Sequence, residues 1–141
     1  MKKSKFAIIA SLALMLVGGQ SALAGDPYES PTNDTFQTAS VGNYGLPING
    51  YLNAGDFDWH KFTASKTANQ TINFIPSTND IFFVVIYDEN KSEITYRLVQ
   101  NSIGTANLLN FNTVAGKQYY IQVYGQSLTS LVNYGIGIWY Q

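Results

Sequence analysis

The sequence predicts an all-β fold, a jelly-roll-like antiparallel β-sandwich of two sheets and about eight strands, preceded by a signal peptide. Three observations lead there. Short runs rich in β-branched and aromatic residues recur along the chain with turn signals between them. Aromatic residues make up 14% of the chain and charged residues only 12%, a balance suited to sheets joined by polar, hydrogen-bonding loops. No window beyond the first segment keeps a helical period.

The first segment sets the compartment. Lys2, Lys3 and Lys5 form a basic start, an almost unbroken apolar run follows, and Ala22-Leu23-Ala24 is a small-x-small cleavage site. Residues 1–24 are therefore expected to be removed. The apolar run is too short to cross the roughly 30 Å of a bilayer's hydrocarbon comfortably, and no later segment resembles a stop-transfer helix. The expected location is secreted, extracellular or periplasmic in a bacterium, with no stable membrane insertion after cleavage.

Residues 25–45 hold Pro27, Pro31 and several acidic and amide side chains with little apolar periodicity, which predicts an irregular N-terminal arm. Residues 46–141 read as the sandwich domain. Its strand runs are 46–52, 57–63, 71–75, 81–87, 93–99, 106–112, 118–124 and 133–140, parted by Gly-, Asn-, Asp- and Ser-rich turns. Alternation assigns faces. Tyr119, Ile121 and Val123 point inward and Tyr120, Gln122 and Tyr124 outward; in the last strand Tyr134, Ile136, Ile138 and Tyr140 point inward and Gly135, Gly137 and Trp139 outward. The run 81–87 is apolar on both faces and belongs inside a sheet.

After cleavage the chain keeps five basic residues against nine acidic ones. That balance argues against nucleic acid, which needs a basic face to displace counterions. The chain has no cysteine, so an exported domain of this size must find stability elsewhere than in disulfides. Aromatic packing and a bound metal ion are the two candidates.

Gly55-Asp56-Phe57-Asp58-Trp59-His60-Lys61-Phe62 presents two carboxylates around a glycine turn at the entrance of a strand. Hard oxygen donors of this kind suit calcium, which takes six to eight oxygens. A second oxygen-rich cluster, Asp26, Glu29, Asn33 and Asp34, lies in the arm. The same residues also read as plain turn chemistry, with Asn33 or Asp34 capping a turn and Asp56 starting one. His60 is the single histidine, and alternation puts it on the side of Asp58. An Asp-His general base is conceivable there, though a strand histidine is more often a packed side chain. No Gly-x-Ser-x-Gly elbow, His-Glu-x-x-His motif or phosphate-binding glycine loop occurs, and the reading is of a non-catalytic protein.

Taken in order, several segments resemble a known family. Tyr28-Glu29 with Asn33-Asp34-Thr35, Ile48-Asn49-Gly50, Gly55-Asp56-Phe57-Asp58-Trp59 with Phe62, Val85-Ile86-Tyr87-Asp88, Tyr119 to Gly125 and Tyr134 to Ile138 are similar to the motifs of the bacterial pre-peptidase C-terminal domains. These are related to the collagen-binding domains of clostridial collagenases. The resemblance implies a jelly-roll sandwich, secretion and a structural calcium between the arm and the Gly-Asp-x-Asp turn. Carried over by position, its ligands would be Glu29, Asn33, Asp34, Asp56 and Asp58. Here Glu29 stands two residues farther from Asn33, and His60 replaces a tyrosine.

The outward aromatics Tyr120, Tyr124 and Trp139 are the candidate ligand-binding residues, since such rings join a large apolar face to a polar tip. The expected function is a calcium-stabilised, secreted, non-catalytic binding module for an extracellular protein, collagen-like, or a polysaccharide. The alternative is a structural or interaction protein that partners a separately encoded secreted protease or toxin.

Overall fold

The computed structural model describes residues 32–141; the expected signal peptide, Asp26 and Glu29 lie outside the described residues. Nine strands follow one another: β1 (Ser40–Val41), β2 (Ile48–Leu52), β3 (Phe57–Thr63), β4 (Ala68–Pro76), β5 (Ile81–Asp88), β6 (Glu93–Val99), β7 (Asn107–Thr113), β8 (Gln118–Gln126) and β9 (Val132–Tyr140). All eight predicted strands are present, with ends shifted by a few residues. Among the described residues no helix is long and apolar enough to cross a membrane.

The strands form two sheets, β1-β3-β8-β5-β6 and β2-β9-β4-β7. Setting β1 aside, the sheets take the first, eighth, third and sixth strands, and the second, seventh, fourth and fifth. That is the jelly-roll order. Every pairing is antiparallel except β1 with β3. β1 corrects the expectation of a wholly irregular arm: Ser40 lies beside His60 and Val41 beside Lys61. A two-residue strand borrowed from a neighbour's edge has no period of its own, so its sequence gives no signal.

Apolar residues at alternate positions close the space between the sheets. Phe62, Ile72, Phe74, Phe82, Val84, Ile86, Ile121, Val123, Ile136 and Ile138 are almost wholly buried there. Each such side chain contributes on the order of 1.5–3 kcal/mol by leaving water. Tyr119 and Tyr134 also face inward, as their alternation predicts. β5 runs between β8 and β6, in agreement with its apolar sequence. Gly55, with φ of 79°, turns the chain into β3; the Asp56 amide donates back to the Asn53 carbonyl at 3.3 Å.

Candidate functional site

The arm runs against β3. The Trp59 amide donates to the Asn33 carbonyl at 2.8 Å and the Gly42 amide to the Lys61 carbonyl at 2.8 Å, so the arm touches β3 at both ends and loops away between them. Asn33 is buried, Asp34 and Asp56 are half-buried, and the Phe57 amide donates to Asp56 Oδ1 at 2.8 Å. Two of the predicted ligand segments, Asn33-Asp34 and Asp56, are thereby brought to the same end of β3. Among the described residues no group of three or more His, Cys, Asp or Glu side chains is arranged to hold a metal ion. Asp58 points the other way, into the core, with 0% exposure.

There Asp58 ends a chain of polar groups between the sheets. Tyr134 donates its hydroxyl to Asp58 Oδ2, and the Tyr134 hydroxyl oxygen lies 2.7 Å from His60 Nε2. His60 Nδ1 is 2.6 Å from Ser40 Oγ. Because the single tyrosine proton goes to the carboxylate, Nε2 must carry the histidine proton and donate it to Tyr134; Nδ1 then accepts from Ser40. Burial holds the imidazole neutral, with its pKa lowered from 6.5 to about 4. His60 is 2% exposed, so the Asp-His pair lies out of reach of a substrate and works as interior wiring. Ser40 and Tyr134 had no polar role in the sequence reading. The inward period of β9 places Tyr134 in the core, but only the structure shows what its hydroxyl meets.

The outer face of the larger sheet is aromatic. Phe57, Tyr124 and Phe83 lie in one cross-strand row, and Lys61, Tyr120 and Tyr87 in another. Phe83 stacks on Tyr124 with ring centres 4.8 Å apart. Tyr120 does not meet solvent as expected. Phe36, from the looped part of the arm, stacks on it at 3.7 Å and leaves it 7% exposed. Lys91 caps Phe36 from 4.6 Å, and Phe36 meets Trp59 edge-on at 5.5 Å. Gln122, also buried, accepts from the Tyr87 hydroxyl at 3.1 Å. Burial and, secondarily, Glu93 push the Tyr87 pKa up to about 12. Tyr124 is raised by the same two causes and stays half-buried.

Trp139 lies on the opposite side of the sandwich, on the outer face of the smaller sheet, so the three predicted aromatics do not form one surface. Its ring covers Gly137; a Cβ at Gly137 would lie 2.1 Å from the indole. Beside it runs a groove of about 470 Å³ with Gly135 and Gly137 in its floor, bordered by Asn49, Asn73, Ile75 and Asn133. Trp139 keeps 42% of its surface exposed. Alternation turns Gly135 and Gly137 outward with Trp139, but the groove they floor and the convergence of Asn49, Asn73 and Asn133 on it come from the structure. The visible signal was asparagine recurring in β-strands, where it is normally depleted.

Fold and surfaces together define a jelly-roll domain with an arm strapped to one sheet and an open groove on the other. No family model matches the chain, and no curated protein matches it. Among solved structures it is similar to the pre-peptidase C-terminal domain of a collagenase from Bacillus anthracis. That likeness has a TM-score of 0.58 and 19% identity, and covers 72% of this chain and 94% of that one. The periplasmic inhibitors of g-type lysozyme from Aeromonas hydrophila and Salmonella Typhimurium match more loosely. Their TM-scores are 0.45 and 0.44, at 14% and 15% identity, over 72% and 70% of this chain and 96% of each of theirs. The chain thus shares the fold of a pre-peptidase C-terminal domain.

Proposed function

We propose that this protein is a secreted, non-catalytic binding module, stabilised by calcium, that holds an extracellular ligand, a collagen-like protein or a polysaccharide. The observation that carries the reading is the open groove beside Trp139, whose floor is bare at Gly135 and covered by the half-exposed indole at Gly137, with amide side chains along its border. Such surfaces hold ligands through shape and a few polar contacts. The one histidine serves the interior, which leaves this face binding chemistry and no acid-base group. The shared fold with the collagenase domain agrees with this and supplies no residue.

The calcium reading rests on the arm and the Gly55-Asp56 turn meeting at β3. Their donors are hard oxygens, which fit the ion. We assign the ion to Asn33, Asp34 and Asp56 together with Glu29, with Asp58 serving the interior instead. The test of function is retention: the protein expressed from its full sequence is passed over immobilised collagen and over insoluble polysaccharides, with and without calcium. Retention on either matrix without turnover supports the reading. Hydrolysis of the matrix, or no retention on any, overturns it.

A further inference from the structure

The strands of the smaller sheet share a property absent from the larger one. None of the residues of β2, β4, β7 and β9 is Asp, Glu, Lys or Arg, while seven are asparagine. An exposed sheet face normally stays soluble by carrying charge. This face uses amides instead, so it offers hydrogen bonds without a field, and a charged ligand would find no counter-charge in it.

The grid of side chains makes the pattern concrete. Asn49, Gly135 and Ile75 form one cross-strand row, and Gly137 and Asn73 sit in the next. Trp139 lies beside Thr71 one row further on. The two glycines lower the middle strand, so the groove crosses three strands with the indole at one end and the exposed Ile103 at another part of its border. Asn73 borders the groove from the strand on the other side of the glycines, opposite Asn49. The volume of about 470 Å³ falls within the roughly 300–1,000 Å³ of ordinary ligand sites.

We infer that this groove binds an uncharged glycan chain, one sugar ring lying on the face of Trp139 and its neighbours' hydroxyls on Asn49, Asn73 and Asn133. A pyranose ring has an apolar face of C–H groups that suits an aromatic plane, and a rim of hydroxyls that both donate and accept. Asparagine amides match that rim because each carries a donor and an acceptor. An extended peptide adds to a sheet through an open edge, whereas the floor of this groove is β9, paired on both sides by β2 and β4. The inference rests on the binding-module reading and narrows it to one ligand class and one face.

Gly135 provides a clean test. A Cβ built there meets only Asn49 Oδ1, at 3.9 Å, so Gly135→Val directs its methyls into the groove from a Cβ that has room. The full-length protein is run in affinity electrophoresis against a soluble β-glucan, a galactomannan and an α-glucan, with alginate as the acidic comparison and a triple-helical collagen peptide as the protein comparison. At least one uncharged polysaccharide should retard it, with little change on raising salt. Gly135→Val should abolish the retardation with its melting temperature kept, and Trp139→Ala and Asn73→Ala should each weaken it about tenfold. Binding that survives Gly135→Val, or a preference for alginate, overturns the inference. Binding of the collagen peptide alone also overturns it but leaves the binding-module reading standing. Binding of nothing sinks both.

Discussion

Ser40, His60, Tyr134 and Asp58 show how a few polar side chains can be spent inside a small core. Each proton in the chain has one direction, so the interior holds a buried carboxylate and a neutral imidazole in fixed geometry. The imidazole has a consequence for acid stability. Its pKa is about 4 in the folded protein and near 6.5 in the unfolded chain. As pH falls from about 6.5, the unfolded state takes up a proton and the folded state does not, so acid favours unfolding. The contribution is absent above about pH 7 and reaches about 3 kcal/mol of lost stability by pH 4, below which it is constant. His60→Gln keeps a donor and an acceptor and removes the titration. Denaturant unfolding at a series of pH values should therefore show a shallower acid limb in His60→Gln than in the parent, and parallel limbs would contradict the assignment. Sequence alternation puts His60 on the inner side of β3, but the partner seventy-four residues away belongs to tertiary structure.

At the scale of elements, the arm is held to β3 by backbone at its two ends and by Phe36 in between. The ring stacks on Tyr120 and is capped by Lys91, so one side chain from the arm covers Tyr120 at the centre of the sheet's outer face. Phe36→Ala should lower stability by about 2 kcal/mol, below the cost of emptying a full core position because the ring is only half-buried. It should also speed hydrogen exchange at the Trp59 amide, which bonds to the arm at Asn33, and shift the tryptophan emission to the red. Exchange at Trp59 that stays as slow as in β8 would mean the arm holds without its ring. The strands themselves were legible because residues such as Ile121, Val123, Ile136 and Ile138 recur with period two. The cover over Tyr120 was not. Alternation tells which side of a sheet a residue faces and is silent on what lies above that side, and an isolated phenylalanine in a polar arm has no period to reveal it. Similarly, Trp139 was found as an outward ring, but its distance from Tyr120 and Tyr124 follows from β9 and β8 belonging to different sheets.

For the whole molecule, the question is what holds a small domain together without disulfides. With no cysteine in the chain, cohesion rests on the core between the sheets and on the strap of the arm. The proposed calcium would act on the strap, joining Asp34 and Asn33 to Asp56 across the entrance of β3. An ion that binds only the folded state stabilises it by mass action, about 2.7 kcal/mol at a hundred times its dissociation constant. For a domain of this size that corresponds to a rise in melting temperature on the order of 10 °C. Chelation should lower the melting temperature and calcium should restore it, whereas magnesium, which demands a tighter octahedral shell, should restore less. Variants separate the ion from the interior. Asp34→Asn and Asp56→Asn should flatten the calcium response while leaving the chelated protein close to the parent. Asp58→Ala should destabilise the protein with or without calcium, because it removes the acceptor of the Tyr134 hydroxyl in the core. If chelation leaves the melting curve unmoved, the carboxylates at β3 are turn and capping groups, and the arm is held without an ion, by Phe36, its backbone bonds and the Ser40–His60 hydrogen bond.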